Sequence, residues 1–221
     1  MKRLLCRNAI VLLAPLFLFA LGCKDATSTS GDDDNEAYGL PPLQPGDLLF
    51  QTTDGDKLSG AIAAVTEGLD GRDFSHVGMV VRSADSLAII EAISSGVQLT
   101  GISAFRERSS TILAGRIRPE QRALAERAAA EALNYLGMPY DKAYLPDNDK
   151  LYCSELVALA YETANGGVPV FEQTPMTFKD PTTGEYLETW VNHYQELGIP
   201  IPEGVPGCNP GGLSRSTILL H

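Results

Sequence analysis

Two short motifs supply the residue types of a nucleophilic hydrolase. His76 stands at the start of an apolar run, Val77–Arg82, that predicts a β-strand. Cys153 stands just before Ser154–Thr163, where the pattern predicts a helix. A thiol attacks as its thiolate, and a helix N-terminus together with a neighbouring imidazolium favours that form. The pair therefore predicts a thiol nucleophile at Cys153 with His76 as its general base.

Glu91 is predicted to orient the imidazole through its second ring nitrogen. It follows the apolar run Leu87–Ile90, on a strand expected to pair with the His76 strand in a hairpin. A carboxylate in such a place needs a partner if it is buried. The alternative is that the strand simply reaches solvent at Glu91.

Further residues are candidates for the substrate-binding or oxyanion region. The backbone N–H of Cys153, at the helix start, is the natural first donor to an oxyanion. Tyr152 is expected to shape that pocket and Tyr140 to line the cleft, although both also suit core aromatics with a bonded hydroxyl. Ser75, which precedes the histidine, belongs to the same set. Asp47 either reaches into the site or caps its own turn, and the turn is favoured.

Other hydrolytic chemistries fit the sequence poorly. His193 lies in an aromatic segment that suits packing or a surface helix, and His221 is the C-terminal residue. No cluster has the spacing of metal ligands, and three distant histidines without a His-Glu-x-x-His arrangement disfavour a zinc hydrolase. A serine hydrolase is disfavoured because the chain has no Gly-x-Ser-x-Gly elbow.

The first 22 residues predict a targeting sequence. A basic start precedes the apolar core Ile10–Leu21, which is too short for a comfortable transmembrane helix. Ala20–Cys23 is similar to a bacterial lipobox, so Cys23 is predicted to be diacylated and to anchor the protein to a membrane. Ordinary signal cleavage that leaves Cys23 free is the alternative.

Residues 23–44 predict the lipidated cysteine and a flexible acidic tether, and residues 45–221 predict one hydrolase domain. Lys24–Glu36 has no large apolar residue, so it cannot bury surface to offset its ordering entropy.

The chain has 17 Lys and Arg against 28 Asp and Glu, a net charge of −11. Removal of three basic residues with the signal lowers this to −14. No basic patch is visible, so nucleic acid is not an expected partner.

Cysteine count restricts the choice of nucleophile. Cys6 leaves with the signal and Cys23 is acylated, so the mature domain keeps Cys153 and Cys208. In an oxidising periplasm, a structural disulfide between these two is the alternative to a reactive thiol.

The remaining pattern predicts an α+β domain with a small antiparallel sheet packed against helices. Residues 167–204 contain no motif that can be placed. Strands are predicted at 48–51, 77–82, 87–93, 96–100 and 111–117, and helices at 57–69, 119–136 and 154–163.

Several separated motifs together resemble the YiiX/YaeF-type permuted papain-like amidases of the wider NlpC/P60 superfamily. The resemblance runs from about residue 45 to the end of the chain. It implies a circularly permuted papain-like fold, a Cys–His–Glu triad at Cys153, His76 and Glu91, and no cofactor. The histidine precedes the cysteine here, whereas papain-type enzymes have the reverse order. The motifs are Pro45–Phe50, Phe74–Gly78, Glu91–Ala92, Gly137–Asp141, Tyr152–Val157 and Asn209–Ser216.

Taken together, these features predict a cell-envelope lipoprotein, on the outer membrane and facing the periplasm, that cleaves an amide through an acyl-thioester. Its expected partners are the membrane, through the lipid, and an envelope amide such as a peptidoglycan stem peptide or an aminoacyl or acyl amide. A lipid acyltransferase or thioesterase with an aliphatic tunnel beside Cys153 is one alternative. A non-catalytic envelope-binding lipoprotein that retains the fold is the other.

Overall fold

A six-stranded antiparallel sheet forms the centre of the fold. The computed structural model describes residues 42–53 and 57–221. Within them the strand order is β4-β3-β2-β1-β5-β8, and β6 and β7 form a separate two-stranded sheet. Every neighbouring pair is antiparallel. The strands are β1 (Leu48–Gln51), β2 (His76–Ser83), β3 (Ser86–Ile93), β4 (Gly96–Thr100), β5 (Ile112–Ile117), β6 (Thr174–Pro175), β7 (Pro206–Gly207) and β8 (Leu219–Leu220).

Helices surround this sheet, and two of them, α3 and α4, pack against one of its faces. Short 3₁₀ turns cover Leu69–Gly71, Pro119–Gln121 and Leu133–Tyr135. The α-helices are α1 (Lys57–Val65), α2 (Ile102–Arg106), α3 (Arg122–Ala132), α4 (Cys153–Ala164), α5 (Glu188–Leu197) and α6 (Pro210–Ser214).

Alternation along β2 divides the core between the two faces of the sheet. Val77, Met79 and Val81 are fully buried in the larger cluster, which includes the inner faces of α3 and α4. Val80 joins a smaller cluster on the opposite face, where Phe105 of α2 covers the sheet. Because His76 has the same parity as Val80, its backbone directs the side chain toward the smaller cluster, at the end of the strand.

The predicted α+β class is confirmed, and the structure adjusts several elements. Pro119–Leu136 was predicted as one helix, but it is α3 with a 3₁₀ turn at each end. Pro119 has the fixed φ that suits a helix start, and the chain leaves the helical region at Leu136, whose ψ is 132°. The region 167–204 supplies β6 and α5.

The predicted signal peptide (1–22), the lipidation site Cys23 and nearly all of the predicted tether (23–44) lie outside the described residues. The described part of the chain contains no helix of the length and apolarity that crossing a membrane requires.

Candidate active site

The position of His76 follows from the pairing of β1 with β2. His76 is the first residue of β2 and lies opposite Gln51, the last residue of β1. Its ring centroid is 5.8 Å from that of Phe105, and the residue is only 8% exposed. The imidazole is therefore held at a strand end, where the rest of the sheet restricts its movement.

Glu91 reaches His76 from the neighbouring strand. The β2–β3 register pairs Met79 with Ile90, which places Glu91 diagonally across from His76 on the same face. His76 Nε2 donates to Glu91 Oε2 at 2.6 Å. The Glu91 carboxylate also accepts from Thr100 Oγ1 at 2.5 Å and from Arg108 Nη2 at 2.6 and 2.8 Å. A fully buried carboxylate thus has partners for both of its oxygens.

Cys153 is the first residue of α4. Tyr152 before it has an extended backbone, with φ −94° and ψ 171°, so the helix begins at the thiol. The Tyr152 N–H donates to Glu155 Oε2 at 3.4 Å, which ties the helix start to its own first turn. The thiol therefore lies at the end of a twelve-residue helix where unpaired N–H groups favour negative charge.

The protonation of His76 reflects both of its neighbours. Burial alone would lower its pKa, but hydrogen bonds to Cys153 and Glu91 and attraction to both raise the pKa to about 9. Since Nε2 bonds Glu91, Nδ1 is the ring nitrogen left for the thiol. His76 is thus an imidazolium at neutral pH.

Glu91 provides the matching negative charge. Burial by itself would raise its pKa, but hydrogen bonding and attraction to His76, with further bonds from Arg108 and Thr100, lower the pKa below its ordinary value. Arg108 is one-third exposed, whereas Glu91 is inaccessible to solvent. The carboxylate is therefore ionised, and it both orients the imidazole and stabilises its charge.

The second thiol has a different environment. Cys153 and Cys208 are both free and buried, so the disulfide considered as an alternative is not present. Burial raises the pKa of Cys208 to about 12, despite hydrogen bonds with Ser154 and Tyr152 that lower it. Cys208 stays a thiol at neutral pH and lacks the reactive thiolate form.

Two recesses meet at the thiol and the imidazole. One is a polar cleft of about 320 Å³, lined by His76, Ser75 and Arg108 among others. The other is a pocket of about 40 Å³, lined by Cys153 and mainly apolar side chains. Ile62 and Tyr144 line both recesses, so the two are adjoining parts of one site. A third, acidic recess of about 500 Å³ shares Tyr152 and Cys208 with the apolar pocket, but neither His76 nor Cys153 lines it.

Three residues predicted for the substrate or oxyanion region border this site. Tyr140 lines the polar cleft, and its hydroxyl bonds that of Tyr144 at 3.2 Å. Ser75 also lines the cleft, where its Oγ accepts from the Thr53 N–H at 2.9 Å. Tyr152 lines the apolar pocket, and its hydroxyl accepts from the Cys208 N–H at 3.3 Å. Tyr152 therefore has the bonded hydroxyl that also suits a core aromatic.

Asp47 has a structural position, which corrects its inclusion among the candidate site residues. It precedes β1 at the end opposite to Gln51, the residue that pairs with His76. Its carboxylate accepts from the Gln44 N–H at 2.8 Å and from Arg116 at 2.7 and 2.9 Å. Asp47 thus caps its own turn and joins it to β5, in agreement with the favoured alternative.

His193 lies in an aromatic cluster on α5, in agreement with the sequence interpretation. Its Nε2 donates to the Lys142 carbonyl at 2.7 Å, and its ring contacts those of Tyr144 and Trp190. His221 follows β8, and its Nδ1 donates to the carbonyl of Ala114 in β5 at 3.2 Å.

The sequence interpretation missed Arg108 and Thr100. Thr100 ends β4 diagonally across from Glu91, and the alternation of a strand paired with β3 would have indicated its face. Arg108 follows α2, a five-residue helix whose return over the sheet has no recognisable sequence signal. Only the folded structure brings its guanidinium to Glu91.

Two comparisons with proteins from Escherichia coli agree with this architecture. The K12 protein called uncharacterized protein YiiX is 32% identical over 175 residues, which is 76% of this chain and 81% of that protein. The crystal structure of metalloprotein yiiX from the O157:H7 strain matches with a TM-score of 0.65 and 26% identity. The match covers 80% of this chain and 94% of that one.

The O157:H7 relative is described as a metalloprotein, which raises the question of a metal in this chain. In residues 42–53 and 57–221, no three His, Cys, Asp or Glu side chains are grouped so as to hold a metal ion. The donor set of the described residues therefore does not fit a metal centre.

A family profile extends the comparison to the whole domain. The profile, described as a permuted papain-like amidase enzyme, YaeF/YiiX, C92 family, matches residues 42–216. That span contains His76, Glu91 and Cys153 and confirms both the resemblance seen in the motifs and the predicted permuted papain-like fold. The chain therefore belongs to the YaeF/YiiX (C92) family of permuted papain-like amidases, and it is a papain-like cysteine hydrolase.

Proposed function

We propose that the chain hydrolyses an amide through an acyl-thioester on Cys153, with His76 as acid and base and Glu91 as the group that orients it. The observation that carries this proposal is the 2.6 Å bond from His76 Nε2 to Glu91. The same imidazole bonds Cys153 at a helix N-terminus. A raised His76 pKa is what a thiolate–imidazolium pair requires.

The reaction begins when the Cys153 thiolate attacks the carbonyl carbon of the amide. The C–N bond then breaks, and the His76 imidazolium gives its proton to the leaving amine. In the second half, His76 takes a proton from water, which attacks the thioester carbon. A carboxylic acid leaves, and the thiolate and imidazolium are restored.

Two groups are suited to stabilise the oxyanion. The backbone N–H of Cys153 is at the start of α4, where it has no helical acceptor. Tyr140 lines the adjoining cleft, and burial, with the nearby Tyr144 and Cys153, raises its pKa well above the ordinary value. Its hydroxyl therefore keeps the proton that an oxyanion donor needs.

The substrate we propose is an envelope amide, either a peptidoglycan stem peptide or a related aminoacyl or acyl amide. The N-terminal pattern supports a lipoprotein anchored through Cys23 and facing the periplasm. Loss of the protein from the membrane fraction in Cys23→Ser would support the anchor. Equal membrane retention of both proteins would contradict it.

Hydrolysis of purified muropeptides by wild type and Cys153→Ala is the direct test. We expect product from wild type and at least a thousandfold less from the variant, because no other group supplies the nucleophile. Cys208→Ala is the matched control and should retain activity. Equal product formation by wild type and Cys153→Ala would refute the assignment.

Alkylation tests the thiolate independently of any substrate. Iodoacetamide should label Cys153 quickly near neutral pH, whereas Cys208, whose pKa is about 12, should label slowly. Mass mapping of the labelled peptides distinguishes the two thiols. Slow labelling of Cys153 in the folded protein would count against the mechanism.

The lipid acyltransferase or thioesterase alternative receives little support from the shape of the site. It requires an aliphatic tunnel beside Cys153, whereas the apolar pocket there has a volume of about 40 Å³. A long acyl chain does not fit within it.

A further inference from the structure

The two recesses at the site differ in polarity, and each adjoins a different reacting group, so they hold different halves of the substrate. Cys153 lines the apolar pocket, and His76 lines the polar cleft. The thiolate bonds the acyl carbon, whereas the imidazolium protonates the leaving amine. The acyl half of the amide therefore lies in the apolar pocket and the amine half in the polar cleft.

The apolar pocket gets its outer wall from the segment 167–204, which no sequence motif placed. Met176, Phe178 and Trp190 line it and are 9%, 3% and 2% exposed. Phe178 and Trp190 stack edge to face at 5.0 Å, which fixes the two rings relative to each other. This wall is consequently rigid and built from side chains without charge.

Two hydroxyls of the pocket already have partners, whereas the buried Trp190 Nε1 has none among the described residues. Ser154 Oγ donates to the Cys208 carbonyl at 3.0 Å, and Thr177 Oγ1 donates to Glu203 at 2.9 Å. A charged acyl substituent would lose its hydration there, and a single neutral N–H group would not replace it. The small volume, about 40 Å³, also excludes a long chain.

The cleft on the other side has the opposite character. The hydroxyls of Thr53, Ser59 and Ser75 form a connected group there, with Oγ–Oγ distances of 2.7 and 3.0 Å. Arg108 adds a partly exposed cation. This side suits a polar amine and has about eight times the volume of the acyl side.

We propose that Met176, Phe178 and Trp190 form an acyl-side specificity pocket, which selects amides whose acyl half presents a short apolar group. The proposal rests on the cysteine amidase function proposed above and assigns its acyl substrate class. Met176 lines the pocket next to Tyr152, whose hydroxyl is 3.9 Å from the Met176 sulfur. A Cβ on Gly207 would lie 2.7 Å from the same sulfur.

The test compares acetyl, butyryl and octanoyl amides of glycinamide, with the released amine measured by fluorescence. We expect kcat/KM of wild type to be at least about tenfold higher for butyryl than for octanoyl glycinamide. Met176→Ala enlarges the pocket, so it should shift that ratio toward octanoyl by about fivefold or more. Met138→Ala is the matched control, because Met138 lines the acidic recess and not the apolar pocket.

Met176→Val removes less side-chain volume and replaces Met176→Ala in the test if circular dichroism shows that Met176→Ala does not fold. Equal rates for butyryl and octanoyl substrates in wild type would overturn the specificity pocket. So would an unchanged ratio in the folded Met176 variant. No release by a wild type that still hydrolyses muropeptides would likewise overturn the specificity pocket. Release that persists in Cys153→Ala would instead overturn the amidase function and this proposal with it.

Discussion

His76 connects the nucleophile to the charges behind it. Its imidazolium lies between the thiol of Cys153 and the carboxylate of Glu91. Arg108 forms a second ion pair with the same carboxylate. Isolated buried charges are costly, whereas charges that are paired and hydrogen-bonded are tolerated. The arrangement therefore keeps the histidine ionised although the residue itself is only 8% exposed.

The His76 pKa should depend on the nucleophile. In Cys153→Ala we expect the pKa to fall below about 9, because the hydrogen bond and the attraction of the thiolate are lost while burial, which lowers it, remains. NMR titration of the ring resonances measures this, and His76→Gln identifies the signal. The same pKa in wild type and Cys153→Ala would contradict the ion pair.

Sequence reasoning reached the residues whose signal is local. Glu91 stands out because a carboxylate directly follows an apolar strand, and Cys153 because it precedes a helix. Arg108 lies 17 residues from Glu91 along the chain, and only the return of α2 over the sheet joins them. Asp47 was ambiguous because a carboxylate in a turn has the same local sequence whether it caps the turn or faces a site.

At the scale of elements, the β2–β3 hairpin was predictable and the wall of the apolar pocket was not. The hairpin consists of two nearly continuous apolar runs, and its turn lies where Ser83 pairs with Ser86. The wall comes from the segment 167–204, which mixes proline, glycine and aromatic residues without a period. Its aromatic side chains are ordered by contacts with each other, which no local pattern records.

Gly78 shows why the His76 motif needs a glycine two residues later. A Cβ there would lie 2.4 Å from Ile89 Cγ2 and 3.0 Å from Phe105 Cε2, and Phe105 contacts the His76 ring. Gly78→Ala should therefore lower the free energy of unfolding by about 1–3 kcal/mol and reduce kcat/KM, because the displaced Phe105 no longer supports the imidazole. Urea denaturation and muropeptide hydrolysis measure the two effects.

Gly60→Ala is the control for that substitution. Gly60 is exposed on α1, and an added Cβ would meet nothing within 4 Å, so stability should stay the same or rise. If Gly78→Ala proved as stable and as active as Gly60→Ala, the close packing of α2 on the sheet would not be required for stability or for activity.

For the whole molecule, the shifted pKa values of Glu91, His76 and Glu155 make stability depend on pH. The lowered pKa of Glu91 contributes stability above its ordinary value of 4.5, which is lost as the pH falls. The raised pKa of His76 contributes stability that is complete below 6.5 and disappears as the pH rises through about 9. Burial, with Asp141 and Asp147 nearby, raises the pKa of Glu155 to about 8. Ionisation of Glu155 therefore favours the unfolded chain as the pH rises above 4.5.

These signs predict that the free energy of unfolding is greatest near about pH 5 and declines on both sides. Between pH 5 and 8 the decline should be roughly 2 kcal/mol or more, since part of the Glu155 shift is screened by solvent. Glu155→Gln keeps an acceptor for the Tyr152 N–H and removes the ionisation, so its curve should be flatter there. Urea denaturation across pH, with the exposed Glu172→Gln as control, measures this. Parallel curves for the two variants would contradict the burial of a neutral Glu155 at the start of the nucleophile's helix.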